Sequence, residues 1–241
     1  MTEPSSETSY GGRDNLEAMK KATRYNDFLV GLIRKYAVGS QALDHGAGAG
    51  TFAVPISNGD MHVLCMEPDN NLRAELQQSG LDVTGSLEEV AACSIDYAYS
   101  LNVLEHIKHD AKAIGELYRC LKPGGCLLVY VPAFQILYSQ MDRHVGHFRR
   151  YRRKPLVQLL RSAGFDVSTA YYVDSLGFLA TLAYKLVGNR SGSVSPGSVA
   201  LYDSMIFPVS RFIDFLGVGS FGKNLAIVAV KSSQAPDLRV G

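Results

Sequence analysis

Short apolar runs alternate with stretches of helical periodicity from residue 41 to residue 173, and this alternation constrains the fold most. "QALDHGAGAGTFAVPI" opens as a strand, breaks at glycines and continues as a helix. "MHVLCMEPD" is a second strand with an acidic end, and "LRAELQQSG" is a helix closed by Gly80. "LDVTGSLEEV" gives a short strand and a turn, and "SIDYAYSLNVLEHI" holds a fourth strand. In "DAKAIGELYRCLKPGG", Asp110 caps a helix, Ile114, Leu117, Tyr118 and Leu121 line one face, and Pro-Gly-Gly stops it. "CLLVYVPA" is an unbroken apolar strand, as in a sheet covered on both faces. "RKPLVQLLRSAGFDVSTAYYV" adds a helix and a strand, and "LAIVAVK" supplies the last strand. The pattern predicts a doubly wound, mostly parallel seven-stranded α/β sheet with right-handed crossovers.

Ahead of the sheet, residues 1–14 read as a flexible arm. Leu16, Met19, Ala22, Tyr25, Leu29, Leu32, Ile33 and Tyr36 then form the buried stripe of a helix. One stretch breaks the rhythm. Residues 174–224 hold two apolar segments, "SLGFLATLAYKLVG" and "ALYDSMIFPVSRFIDFLG", around a Gly/Ser-rich loop. A hairpin link needs far fewer residues. We read 15–173 plus 225–232 as one α/β domain, 174–224 as a helical insertion before the last strand, and 233–241 as a tail. The insertion is expected to cap a pocket or to form a homodimer contact. Membrane association is the lesser alternative, because the apolar segments are too short to span a bilayer.

The net charge of +1 argues against a dedicated nucleic-acid binder. The four cysteines have no CxxC spacing, and Cys65 and Cys126 sit inside apolar runs, which fits buried thiols in a reducing compartment. With a polar N-terminus and no long apolar run, the expected location is cytoplasmic.

"LDHGAGAG" sits at the first strand-to-helix turn, where an open parallel sheet binds its ligands. Glycines there let a ligand approach the backbone. Thr51 replaces the last glycine of a dinucleotide fingerprint, and no phosphate-loop lysine is present. Glu67 ends the second strand, where a carboxylate can accept both ribose hydroxyls. A ligand with a ribose but no pyrophosphate fits, and S-adenosylmethionine is one.

At this point the sequence resembles the class I S-adenosylmethionine-dependent methyltransferases, whose fold is Rossmann-like. "LDHGAGAGTF", "MEPD", "GSLEEV", "SLNVLEHI" and "LYRCLKPGGCLLVYVPA" are similar to five family motifs, in order. The resemblance implies that Gly46, Ala47 and Gly48 line the methionine and ribose moieties. It implies that Asp44 fixes the turn and the amino group, that Glu67 holds the ribose, and that Pro68, Ser86 and Leu87 border the adenine. Asn102 and Val103 would run beside the cofactor with His106 at the mouth of the site, and Tyr25 would be a further contact. "MDRHVGHFRRYRR" resembles a bacterial subgroup with a D-x-x-x-G-H-x-R-R-Y block after the fifth strand, some members of which belong to lipid-linked sugar or natural-product pathways. Asp174 departs from that subgroup, where asparagine is expected.

The block holds five arginines and two histidines in thirteen residues. Methyl transfer aligns acceptor, methyl group and sulfur, excludes water, and often needs a base. His144, His147, Asp142 and His106 are the catalytic candidates. Arg149, Arg150, Tyr151 and Asp174 are candidates for acceptor binding, the arginines through forked contacts to a carboxylate or phosphate. Hydrogen bonding within a lid is the competing use. His144 and His147 lie three apart, but no third ligand is evident and no metal is expected.

The expected function is methyl transfer from S-adenosylmethionine to a small-molecule oxygen or nitrogen acceptor, anionic or lipid-linked. One alternative is intramolecular alkyl transfer releasing methylthioadenosine. Another is a non-catalytic cofactor-binding module.

Overall fold

The computed structural model describes residues 22–59, 61–187, 196–216 and 220–233. The arm and all but Ser233 of the tail lie outside them, as do residues 15–21 of the expected first helix. Helix α1 (Thr23–Tyr36) buries Tyr25, Leu29, Leu32 and Ile33, the stripe that the spacing predicts. Strands β1 (Gln41–His45), β2 (His62–Met66), β3 (Asp82–Thr84), β4 (Ile95–Leu101), β5 (Leu121–Pro132), β6 (Phe165–Val173) and β7 (Asn224–Lys231) form one sheet in the order β3-β2-β1-β4-β5-β7-β6. β7 runs antiparallel between β5 and β6, and the first five strands pair in parallel. Its six successive buried residues explain the unbroken "NLAIVA" run, since both of its faces are covered.

The helices divide between the two faces. On one, α1, α2 (Ala53–Ser57) and α3 (Asn70–Gln78) pack Leu29, Ile33, Ile56 and Leu76 on Tyr97, Tyr99 and Tyr130. On the other, α4 (Asp110–Cys120) and α6 (Arg153–Ser162) pack Ile114, Leu117, Leu156 and Leu160 on Leu127, Val129 and Ile227. Each fully buried aliphatic side chain contributes roughly 1.5–3 kcal/mol relative to exposure. Asp69 caps α3, accepting from the Asn71 and Leu72 N–H groups at 2.8 and 3.0 Å. Gly80 follows α3 with φ +79°, a left-handed residue at the helix end.

The segment between β6 and β7 is helical, as expected: α7 (Ser175–Val187), α8 (Pro196–Leu201), a single π-type turn (Tyr202–Ile206) and α9 (Phe207–Phe215). Asp214 of α9 accepts the Asp174 and Ser175 N–H groups at 2.7 and 3.1 Å, and Ser210 accepts from Leu176, so α9 satisfies the start of α7. Phe207 packs edge-on against Tyr25 of α1 at 5.3 Å. Among the described residues no helix is long and apolar enough to cross a membrane.

Candidate active site

β1 lies between β2 and β4, so the chain leaves its carboxyl end toward opposite sides of the sheet and opens a crevice there. The glycine turn fills the edge of that crevice. Gly46, Gly48 and Gly50 have φ of +78°, +55° and +76°, in the left-handed region. The Gly46 and Ala47 N–H groups donate to the Met66 carbonyl at 2.8 and 3.1 Å, which folds the turn over the end of β2. A Cβ on Gly46 would stand 2.6 Å from Val103 Cγ2, so the position is closed to side chains on two counts.

Glu67 faces this turn. Its Oε2 accepts from the Gly48 N–H at 2.8 Å and its Oε1 from the Asp69 N–H at 3.0 Å. A carboxylate offers about four acceptor sites, so capacity for further donors remains. Asp44 lies beneath, 3% exposed, and its Oδ2 has no partner among the described residues. Burial pushes its carboxyl up to about 8, against the Tyr99 hydroxyl and with help from the Glu67 charge. A buried acid with one unpaired oxygen beside the turn is suited to a cationic ligand group.

Asn102 takes φ +55° and donates its N–H to the Tyr130 carbonyl at 2.7 Å, which sets Val103 against Gly46. Tyr25 is buried above, edge-on to Tyr130 at 6.3 Å. Burial raises its hydroxyl well above the usual phenol value, with Tyr130 and Asn102 acting against that rise. Pro68 is exposed beyond β2, Ser86 is half-buried and Leu87 is buried after β3. Sequence reasoning passed over His45. It is buried, its Nδ1 lies 3.0 Å from Ser100 Oγ, and burial pushes it down to about 4, so it is neutral.

The basic block is stitched into the fold. It begins with the short helix α5 (Gln140–His144). Within it Asp142, 1% exposed, accepts both arms of Arg150 at 2.9 and 3.1 Å and the Ser139 N–H at 2.8 Å. His147 Nδ1 lies 2.8 Å from its Oδ1. Burial works against ionisation, but His147 and Arg150 outweigh it and hold the Asp142 carboxyl at about 2. The Arg150 fork expected to grip an acceptor anion is therefore taken by Asp142. Arg149 pairs with Asp110 at 2.8 Å and donates to the Lys108 carbonyl at 2.7 Å. The buried Tyr151 hydroxyl donates to Asp110 at 2.8 Å, with the Leu104 carbonyl at 3.1 Å. These contacts engage Arg149, Arg150 and Tyr151 within the fold itself. They also correct the reading of Asp110, which gives one oxygen to the Ala111 N–H and turns the other to the block.

Asp174 is likewise internal. It is fully buried at φ +67°, its Oδ1 accepts from the Gly177 N–H at 3.0 Å, and its Oδ2 accepts from the Tyr202 hydroxyl. It joins β6 to the inserted helices, each of its oxygens taking a bond from that joint.

Of the four catalytic candidates, the structure gathers three. The His106 and His147 rings meet edge-on at 4.5 Å, with Asp142 behind His147. His144 is exposed on α5 and stands apart from them. Sequence reasoning missed Glu105, although it lies inside "LNVLEHI" beside His106. Glu105 is wholly buried, neither carboxylate oxygen has a hydrogen-bond partner among the described residues, and burial pushes it up to about 8.

A family model described as a methyltransferase domain matches residues 19–170. A Mycolicibacterium smegmatis protein named as a probable S-adenosylmethionine-dependent methyltransferase is 29% identical over 170 residues, covering 67% of this chain and 64% of that relative. The chain spans less than two thirds of the curated relatives it matches. Among solved structures, a Thermotoga maritima protein described as a SAM-dependent methyltransferase and possible histamine N-methyltransferase superposes with a TM-score of 0.66 at 20% identity, covering 91% of this chain and 95% of that one. Haemonchus contortus phosphoethanolamine N-methyltransferase 2, in complex with phosphomonomethylethanolamine and S-adenosylhomocysteine, gives 0.61 at 16% identity, covering 97% and 62%. The family match covers more than half of the chain, and the strand order agrees with it: the chain belongs to the methyltransferase domain family and has the class I, Rossmann-like fold of S-adenosylmethionine-dependent methyltransferases.

Proposed function

We propose that this protein transfers a methyl group from S-adenosylmethionine to an oxygen or nitrogen atom of a small-molecule acceptor. The observation that carries the reading is Glu67 bonded to the Gly48 N–H of the glycine turn, with Asp44 buried just ahead of that turn and its Oδ2 unpaired. Glu67 would hold the ribose hydroxyls and Asp44 the amino group, with Pro68, Ser86 and Leu87 toward the adenine. When bound, S-adenosylmethionine supplies an electrophilic methyl group on a sulfonium.

The chain's own residues then have three tasks. Val103 and Asn102 press on the turn and fix one wall. Tyr25, clamped by Phe207, and the helices between β6 and β7 cover the crevice and exclude water. The acceptor's proton is lost on the side of the crevice that carries Glu105, His106 and His147. The outer face of the inserted helices exposes Met205, Phe212, Phe215 and Leu216, which supports a contact with a second copy of the chain or an apolar acceptor tail.

The test is to incubate the purified protein with S-adenosylmethionine, alone and with a metabolite extract, and to follow the nucleoside products by liquid chromatography. Adenosylhomocysteine only when extract is present, and absent with Glu67→Ala, is the expected result. Methylthioadenosine formed without extract would overturn methyl transfer in favour of intramolecular chemistry.

A further inference from the structure

We infer that Glu105, His106 and His147 form a divalent-cation site of zinc-like donor chemistry, and that its open position takes a hydroxyl oxygen of the acceptor. The role toward the acceptor rests on the methyl-transfer reading above. The cation site itself does not.

The three residues each offer a ligand atom, and these atoms lie within 4.8 Å of one another. A tetrahedral ion about 2.1 Å from each ligand would hold them roughly 3.4 Å apart, so a small closure of the side chains completes the set. Two nitrogens and one carboxylate oxygen are the donors of catalytic zinc sites, which keep a fourth position open.

The Glu105 carboxylate supplies an independent observation. It is wholly enclosed, 0% exposed, and neither oxygen has a hydrogen-bond partner among the described residues. A buried carboxylate without a partner is expensive, and a cation beside it removes the cost. The surroundings of His147 add a third observation. His147 Nδ1 lies 2.8 Å from Asp142 Oδ1, and its Nε2 lies 3.8 Å from Glu105 Oε1. Arg150 and the Ser139 N–H in turn hold Asp142. A carboxylate behind a ligating imidazole fixes its tautomer and orientation, the usual support of a metal-bound histidine. The fork of Arg150 thus acquires a purpose that acceptor binding did not give it.

Glu105 and His106 lie two and three residues after Val103, which borders the glycine turn. A cation here would stand on the acceptor side of the crevice. It would lower the pKa of a bound hydroxyl, whose proton would pass to solvent water without requiring a strong base. The acceptor class is therefore a hydroxylated small molecule, and the transfer forms an O–methyl bond.

The test uses the full chain freed of metal by chelation, titrated with cobalt(II) alone and followed by its visible absorption. Zinc(II) displacement and S-adenosylmethionine calorimetry are run on the same samples. Saturable uptake of one cobalt(II), reversed by zinc(II), and weakened at least tenfold in both Glu105→Gln and His147→Ala, is the expected result. Circular dichroism and cofactor binding report that each variant folds. A wild-type protein that binds the cofactor but shows no saturable uptake would overturn the cation site and leave methyl transfer standing. Uptake unchanged in both folded variants would overturn it as well, by placing the ion elsewhere. Specific uptake by a protein that binds no S-adenosylmethionine would uphold the cation site while removing the methyl-transfer reading.

Discussion

The Asp203 carboxylate accepts the backbone N–H of Tyr25 at 2.8 Å, across 178 residues of chain, and that of Arg24 at 3.0 Å. Helix α1 has no side-chain cap of its own, so a residue of the inserted π-type turn satisfies its first turn. The same contact draws the insertion onto the helix that carries Tyr25.

Replacing Asp203 with Ala removes both bonds. A lost cap costs about 0.5–2 kcal/mol, and for a domain of this size each kcal/mol lowers Tm by roughly 2–4 °C. We expect a fall in Tm of a few degrees by calorimetric scanning, together with weaker S-adenosylmethionine binding as Tyr25 loosens. An unchanged affinity in the destabilised variant would show that the clamp does not govern the pocket.

Gly46→Ala should reduce cofactor affinity more than tenfold. The new methyl meets Val103 at 2.6 Å on a backbone with φ +78°. Adding Val103→Ala relieves the contact but leaves the backbone strain, so the double variant should recover part of the loss in isothermal titration. Full additivity of the two losses would argue against the contact.

Asp44 predicts a proton linked to cofactor binding. Its carboxyl titrates at about 8 in the free protein, and a bound ammonium favours the ionised form. Binding below pH 8 should therefore release up to one proton, and affinity should rise with pH until it levels near 8. Calorimetry in buffers of different ionisation enthalpy measures this release. The folded value lies above the ordinary carboxylate value, so protonated Asp44 favours the fold at low pH. That contribution falls as pH rises from about 4 through about 8. Asp44→Asn should flatten both profiles.

Tyr151→Phe tests the block as a structural lid. It removes the one hydroxyl proton shared between Asp110 and the Leu104 carbonyl, a cost of about 1–3 kcal/mol. Chemical denaturation should show that loss with little change in cofactor affinity. A stable variant with a large rise in acceptor KM would instead return Tyr151 to the acceptor site.

The sequence by itself determined the sheet, its two covered faces, the glycine turn and the acid at the end of β2. Each is written in local terms: the period of apolar residues, the unbroken run of a doubly covered strand, glycine where φ must be positive. The tertiary structure decided which charged and polar groups meet. Nothing near Arg24 or Tyr25 in sequence announces Asp203, and Asp110 meets Tyr151 across 41 residues. The basic block looked available to a ligand because its charges were counted without their partners. Once Asp142 and Asp110 are buried, each needs a counter-charge and hydrogen bonds, and Arg150, Arg149 and Tyr151 are close enough to supply them. Glu105 shows the converse. Its neighbour His106 was legible as a site residue, but only burial without a partner sets the glutamate apart, and burial is a property of the assembled fold.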